Sequence, residues 1–424
     1  MEKFKLLFDD YPYENAYRYK ERSSLTYTTN LPFFTPTDKD KCDIENEVLL
    51  YPICLGDFIT DLVFHNRFGQ IPEYVLDALR DENSKLFLLL WFPTEGFSCD
   101  THPFMDVIDF CIKHLGILSK KVIFVSGDLK IRQNYKHWRK LHGWAGVNVI
   151  PYEYFSTEYK YCAATWFDEP LRTLDEYDEF RKTKKEKRFI FKNAVLRDHR
   201  KYLIGRLEAE GMLQHAYWSM LDRYVKKFNP DEINIDLFRK FSADDDVANK
   251  SFKSLHNLYS KGIKTFDVDL DKMEYNQSNY QWQLESKYYN TSDFSLVSET
   301  VWSTNTKVDC LLFLSEKIYQ PIANLHPFIV TGSSQTLKYL QSRGYATFPE
   351  LFNEDYDSQE NSSVKMNMLV DNVKDIVSGS KDNILQSNEI RDKLIHNKEV
   401  FNSNHNFKQN VQFIVSALKK IVGD

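Results

Sequence analysis

Apolar runs rich in β-branched and aromatic residues alternate with helical patterns in the first part of the chain. The runs occupy residues 48–54, 85–92 and 121–126, with a shorter one at 146–150, and helical candidates lie at 72–81 and 103–115. A continuous apolar run is typical of a strand buried on both faces, as in a parallel sheet. Strands alternating with helices indicate βαβ units, so the pattern predicts a doubly wound α/β domain.

The same alternation returns after a charged run at 180–188, which we interpret as a linker between two domains; the alternative is a solvated helix end. The predicted elements beyond it are strands at 188–192, 294–299, 311–314 and 327–332 and helices at 198–211, 315–324 and 410–422. We therefore predict domains at 1–180 and 181–404, followed by a closing helix at 405–424.

Composition argues against a membrane-spanning, secreted or strongly basic protein. The 424 residues are 42% hydrophobic, and 55 Lys and Arg face 61 Asp and Glu, so the net charge of −6 gives no overall attraction to nucleic acid or anionic membrane. The apolar run at 86–92 is too short to cross a bilayer, and the first residues lack a secretory pattern. Six scattered cysteines without the close pairs of a zinc site favour a cytoplasmic protein.

The most informative stretch follows the predicted strand at 311–314. Ser315 is a good helix N-cap, and Glu316 and Lys317 stand in the first turn. The start of a helix suits an anionic diphosphate, because its backbone N–H groups and its dipole favour negative charge. Lys317 adds a positive charge, and Glu316 can accept hydrogen bonds from two ribose hydroxyls. The alternative is a surface glutamate that only favours the helix dipole.

Ser315-Glu316-Lys317, an aromatic residue, an alanine-containing helix and Pro-Phe-Ile-Val-Thr-Gly at 327–332 together resemble the donor region of GT-B glycosyltransferases of the fucosyltransferase type, which have phage-encoded relatives. The resemblance continues through 336–357. It implies two Rossmann-like domains whose parallel sheets face a central cleft. It also implies that Glu316 holds the nucleotide ribose and that Lys317 contacts the diphosphate.

Other donor-site residues follow from the same resemblance. An arginine in the loop that opens the second domain clamps the diphosphate in that family, and Arg197 and Arg200 are the candidates here. The alternative is a pair of solvent-facing charges. Glu299 ends the strand at 294–299 and is a candidate donor contact, but Thr300 stands where the family has asparagine. A structural carboxylate at the strand end is therefore equally open.

Transfer of a sugar requires a base that takes the proton of the acceptor hydroxyl. Glu95 follows the buried strand at 85–92 and precedes Gly96, so we expect it in the ligand crevice as the catalytic base. Asp57 and Asp128 occupy similar positions after other strands. Each of the three carboxylates could instead cap the next helix.

Acidic triplets are the only hint of a metal. Asp267-Val-Asp269 and Asp244-Asp245-Asp246 contain carboxylates that hard cations favour, but such triplets are weak signals. In a GT-B enzyme Lys317 and the arginines would replace the metal. We therefore expect no metal and no cofactor, with a UDP- or GDP-linked sugar as co-substrate. The chain lacks the glycine-rich and nucleophile motifs of dehydrogenases, P-loop NTPases and α/β-hydrolases.

The predicted function is metal-independent glycosyl transfer to a hydroxyl of a glycan. A first alternative is modification of hydroxymethylated pyrimidines in phage DNA, in the host cytoplasm, for which the basic segments 132–140 and 182–188 could form a cleft. Such segments are more often solvated helix faces. A second alternative is a nucleotide- or glycan-binding protein that has kept the fold without activity.

Overall fold

The structure is a computed structural model, and it describes residues 3–8, 32–54, 71–93, 96, 104–156, 171–193, 195–220, 229–261, 286–304, 311–403 and 405–423. The chain divides into two compact units. The first combines Met1–Tyr154 with Phe407–Asp424, and the second is Phe155–Asn406.

The first unit is built on a six-stranded sheet in the order β2-β1-β3-β4-β5-β6, in which every pairing is parallel. Its strands are β1 (Phe4–Phe8), β2 (Phe34–Asp38), β3 (Leu49–Cys54), β4 (Leu86–Phe92), β5 (Val122–Ser126) and β6 (Asn148–Pro151). Its helices are α1 (Glu73–Arg80), α2 (Phe104–Asp109, continued by the π-helix Phe110–His114) and α3 (Ile131–His142). The residues of β4 and β5 are almost all fully buried, which explains their unbroken apolar sequence.

The second unit is built on a four-stranded parallel sheet in the order β10-β9-β7-β8. Its strands are β7 (Phe189–Phe191), β8 (Ala216–Trp218), β9 (Phe294–Ser298) and β10 (Phe328–Thr331). Its helices are α4 (Leu174–Phe180), α5 (Asp198–Ala209), α6 (Ile235–Phe241), α7 (Asp245–Lys261), α8 (Ser286–Asn290), α9 (Glu316–Ala323), α10 (Thr336–Ser342), α11 (Ser362–Val377), α12 (Asp382–Leu385) and α13 (Asn388–Asn402). The last helix, α14 (His405–Val422), belongs to the first unit from Phe407 onward.

Two parallel sheets with intervening helices confirm the predicted α/β class. The apolar runs near residues 50, 90, 125, 150, 190, 296 and 330 are all strands, whereas β1, β2 and β8 were not predicted. Among the described helices, none has both the length and the apolarity to cross a bilayer. The cleft between the domains stays a prediction.

Residues 311–314 differ from the prediction, because they are buried but form no strand. A buried apolar run cannot be assigned to a strand by periodicity alone. The charged run at 180–188 also differs, since it lies inside the second unit and not at a boundary between units. The segment before it is held there by a hydrogen bond of 3.0 Å from the backbone N–H of Arg172 to the Asn324 side chain.

Candidate functional site

The candidate site lies at the carboxyl edge of the second sheet. Lys192 directly follows β7 and Glu299 directly follows β9, and these two strands are parallel neighbours. The carboxyl ends of parallel strands share one edge of a sheet, where open α/β sheets bind their ligands. Helix α9 begins at the same place, because its N-cap Ser315 contacts Glu299.

Glu299 fixes the start of α9. Its carboxylate accepts a hydrogen bond of 2.6 Å from the Ser315 hydroxyl, bonds of 3.3 Å from the Ser315 backbone N–H, and one of 3.2 Å from the Thr300 backbone N–H. The side chain is fully buried, and this burial raises its pKa. Glu299 therefore has the position of a supporting carboxylate beneath the site, which was the alternative to donor contact.

Gly332, at the end of β10, allows Glu299 to lie this close to the strand. A Cβ atom at Gly332 would lie 3.0 Å from the Cβ and 3.3 Å from the Cγ of Glu299. Contacts this short are rare in packed interiors, so a side chain at this position would displace the carboxylate. The lack of space beside Glu299 therefore explains why the Pro-Phe-Ile-Val-Thr-Gly motif ends in a glycine.

Glu316 and Lys317 form an ion pair at the first turn of α9. Lys317 Nζ lies 2.6 Å from Glu316 Oε1 and 3.3 Å from Ser315 Oγ, and the side chains of Lys317 and Glu316 are 19% and 11% exposed. Burial acts to raise the pKa of Glu316, but the Lys317 ammonium and hydrogen bonds outweigh it and the pKa is lowered. The carboxylate is thus held ionised beside a partly exposed cation.

Lys192 is a further cation at this edge, which sequence reasoning did not select. Its Nζ donates a hydrogen bond of 2.7 Å to Gln320 Oε1 on α9. Burial lowers the pKa of Lys192 to about 7, with Glu316 opposing and Lys317 adding to this effect. Lys192, Lys317 and Gln320 line a cavity of about 30 Å³. The only available signal was the position of Lys192 immediately after a strand.

Arg200 lies beneath the site. Its guanidinium donates bonds of 2.7 Å to Val195 O, 2.8 Å to Ser298 O and 2.7 Å to Glu299 O, and the residue is 2% exposed. His199 Nε2 lies 3.1 Å from the same carbonyl of Glu299. Both side chains therefore secure the end of β9, and this burial leaves Arg200 no access to an anion in solvent.

Arg197 differs from Arg200 in its exposure. It is the N-cap of α5, and its exposed side chain makes no capping bond. The predicted arginine pair is thus divided between a buried support and an exposed cation. Arg197 stays a candidate for diphosphate contact.

The other predicted carboxylates fall into two groups. Glu95, Asp57 and the triplet 267–269 lie outside the described residues. Asp128 is fully buried just before α3, where its carboxylate accepts bonds of 2.9 Å from Lys130 N and Asn134 Nδ2; the N-cap of the helix is Lys130.

The triplet 244–246 has a structural explanation. Asp244 Oδ1 accepts a bond of 2.8 Å from Asp246 N at the start of α7, and Asp245 pairs with Arg239 at 3.0 Å. Helix capping by Asp244 and the ion pair of Asp245 explain these two carboxylates without a metal ion. Over the described part of the chain, no group of three His, Cys, Asp or Glu side chains has the arrangement of a metal site.

Similarity of this chain to known proteins is limited to one solved structure. No protein-family model matches the sequence, and no curated protein matches it. One solved structure, a mutant of T4 phage BGT in complex with UDP-glucose, is similar over 92% of this chain and 87% of that chain, at 13% sequence identity and a TM-score of 0.31. The α/β assignment rests on the two sheets described above and not on this likeness.

Proposed function

We propose that the chain is a glycosyltransferase that binds a nucleoside-diphosphate sugar at the carboxyl edge of its second sheet. The observation that carries this proposal is the convergence of Lys192 and Lys317 beside the ionised Glu316. The two lysines come from different elements, one after β7 and one in α9. A surface glutamate that merely favours the helix dipole would not require a second, half-buried lysine.

Each group has a defined task in this proposal. The two ammonium groups bind the diphosphate and stabilise it as a leaving group, and Glu316 accepts hydrogen bonds from the ribose hydroxyls. Charge-assisted hydrogen bonds contribute about 1.5–3 kcal/mol each. Arg197 is a further candidate for the diphosphate. Because these cations balance the charge of the leaving group, the proposed reaction needs no metal.

Glu95 is the proposed base, and it would take the proton of the acceptor hydroxyl. It follows β4 in the first unit, in the sequence Trp91-Phe-Pro-Thr-Glu. The proposed acceptor is a hydroxyl of a glycan. A glutamate beyond the carboxyl end of a central strand suits this task, since residues there line ligand crevices in α/β sheets.

A modified base in DNA is the second candidate acceptor, and one observation favours it. Helix α3 in the first unit carries exposed Arg132, Lys136, Arg139 and Lys140 and no acidic residue. Such a stripe can neutralise backbone phosphates, with affinity that decreases steeply as salt increases.

Turnover with a panel of UDP- and GDP-sugars tests the proposal. We expect one donor to be consumed, with transfer to an oligosaccharide or to hydroxymethylated DNA, and slow hydrolysis without acceptor. Binding of a donor without turnover would support the binding-protein alternative. Absence of both binding and turnover across the panel would contradict the proposal. Salt-dependent duplex binding that is lost in Lys136→Glu would favour the DNA acceptor.

A further inference from the structure

A second cationic region lies at the opposite, amino edge of the second sheet, and we call it the basic cavity. Its volume is about 300 Å³, and it is lined by Arg188, Asp293 and Pro327, which directly precede β7, β9 and β10. It is therefore separated from Lys192 and Glu299 by the length of the strands. Its volume is within the range of small-molecule sites.

Positive charge dominates the lining of the basic cavity. The cationic side chains are Arg172, Arg181, Lys184, Lys185 and Arg188. The carboxylates among its lining residues are Asp293 and Asp382, and both are paired with the same guanidinium, that of Arg188. Five cations less two carboxylates leave three positive charges in one concave space.

The remaining cations have few compensating partners. Within the described ranges, Arg172, Lys184 and Lys185 form no ion pair, and the nearest carboxylate oxygen to Arg181 is that of Asp178 at 3.7 Å. Lys185 Nζ donates instead to the backbone carbonyls of Phe180 and Asn290, the second at 2.9 Å.

Arg172 is the most constrained of these cations. It is 2% exposed, and its Nε is a buried donor without a hydrogen-bond partner among the described residues. Burial lowers the pKa of Arg172 to about 10, and burial together with Arg172 lowers that of Lys185 to about 8. Burying like charges together is unfavourable unless an anion compensates them.

We propose that the basic cavity is a binding site for a small multivalent anion of the phosphate class. Because Arg188 is occupied by the two carboxylates, the guanidinium groups of Arg172 and Arg181 supply the planar donors for phosphate oxygens, and the ammonium groups of Lys184 and Lys185 add point charges. A volume of about 300 Å³ accommodates a diphosphate or a small phosphorylated molecule but not a double helix. The site is separate from the proposed donor site and does not depend on it.

Calorimetric titration of the full chain with sodium pyrophosphate tests this site. Lys184 lines the cavity, whereas the neighbouring Lys182 is exposed but outside the lining, so Lys184→Glu and Lys182→Glu are matched charge reversals. Both leave the donor site unchanged. We expect Lys184→Glu to weaken one pyrophosphate site at least fivefold relative to Lys182→Glu, and inorganic phosphate to bind the same site more weakly.

A buried variant adds an independent measurement. Arg172→Gln, checked for folding by its thermal unfolding, should also lose this site, and if it does not fold the comparison of the two lysine variants decides alone. Equal affinities in the two lysine variants would overturn the proposal. Displacement of pyrophosphate by duplex DNA with the same dependence on Lys184 would define a nucleic-acid surface and would overturn it as well.

Discussion

The two edges of the second sheet both gather cations, but they arrange them differently. At the carboxyl edge, Lys192 and Lys317 stand beside Glu316, an ionised carboxylate that pairs with Lys317 and can accept further bonds from hydroxyl groups. At the amino edge, Arg188 pairs with both carboxylates of the lining, and among the other four cations of the described lining only Arg181 has a carboxylate nearby, that of Asp178 at 3.7 Å. A site with an available carboxylate suits a ligand with both phosphate and hydroxyl groups, whereas a site with net positive charge whose carboxylates are already paired suits phosphate alone.

The largest effect that distinguishes the two edges is expected for Lys317→Ala. Loss of a cation from the leaving diphosphate should lower kcat/KM for the donor by about 100-fold to 1,000-fold, since removal of one such donor typically costs about 3–4 kcal/mol. Steady-state kinetics with the donor found in the panel measure it. Lys338→Ala, which removes an exposed lysine from α10, is the control and should retain full activity. Unchanged rates in Lys317→Ala would show that the carboxyl edge does not bind the leaving diphosphate.

The next largest effect is expected at the amino edge, where Asp293 should make the stability of the chain depend on pH. Burial raises the pKa of this carboxyl from 3.8 to about 6, although Arg188 opposes the shift. The folded state therefore holds the proton more tightly than the unfolded state. This stabilisation is complete below pH 4 and is lost as the pH rises through 6, by about 3 kcal/mol in the free energy of unfolding.

Urea unfolding between pH 4 and 7 measures this effect as a difference between variants. Asp293→Asn should lack the decrease that the unchanged chain shows. Asp392→Asn, which alters a carboxylate with 74% of its side chain exposed, should follow the unchanged chain. Parallel stability curves for the unchanged chain and Asp293→Asn would contradict the assigned pKa direction.

Only part of this arrangement was predictable from sequence. Continuous apolar runs located the main strands, and Ser315 with Glu316 and Lys317 marked the helix start, because these signals are local. Lys192 carries no motif, and its role depends on pairing between β7 and β9, which are separated by about a hundred residues of chain. The charged run at 180–188 was interpreted as a linker because its partners, including Asp382, lie far along the chain.

The support beneath the carboxyl edge gives a third, smaller prediction. Glu299→Ala leaves the buried hydroxyl and N–H of Ser315 without their acceptor, so the chain should lose about 2–3 kcal/mol of unfolding free energy. Urea unfolding at constant pH measures this loss. Glu399→Ala, on the exposed face of α13, should change stability by less than about 0.5 kcal/mol. Equal stability of the two variants would show that Glu299 does not secure α9.

The smallest expected effect is a pH dependence of donor binding. Lys192 loses its charge as the pH rises through about 7, so affinity for the nucleoside diphosphate should decrease by about tenfold between pH 6 and pH 9, a loss of ~1.5 kcal/mol. Lys192→Arg keeps its charge over this range and should bind with nearly constant affinity. Calorimetry at several pH values measures both, and an equally steep decrease in the arginine variant would assign the dependence to another group.

A crystal structure of the chain with the nucleoside diphosphate that it binds most tightly tests the central claim most directly. We predict that the diphosphate lies within hydrogen-bonding distance of Lys317 Nζ and Lys192 Nζ at the start of α9, with the ribose hydroxyls on Glu316. A diphosphate bound instead among Arg172, Lys185 and Arg188, or at any place away from α9, would contradict it.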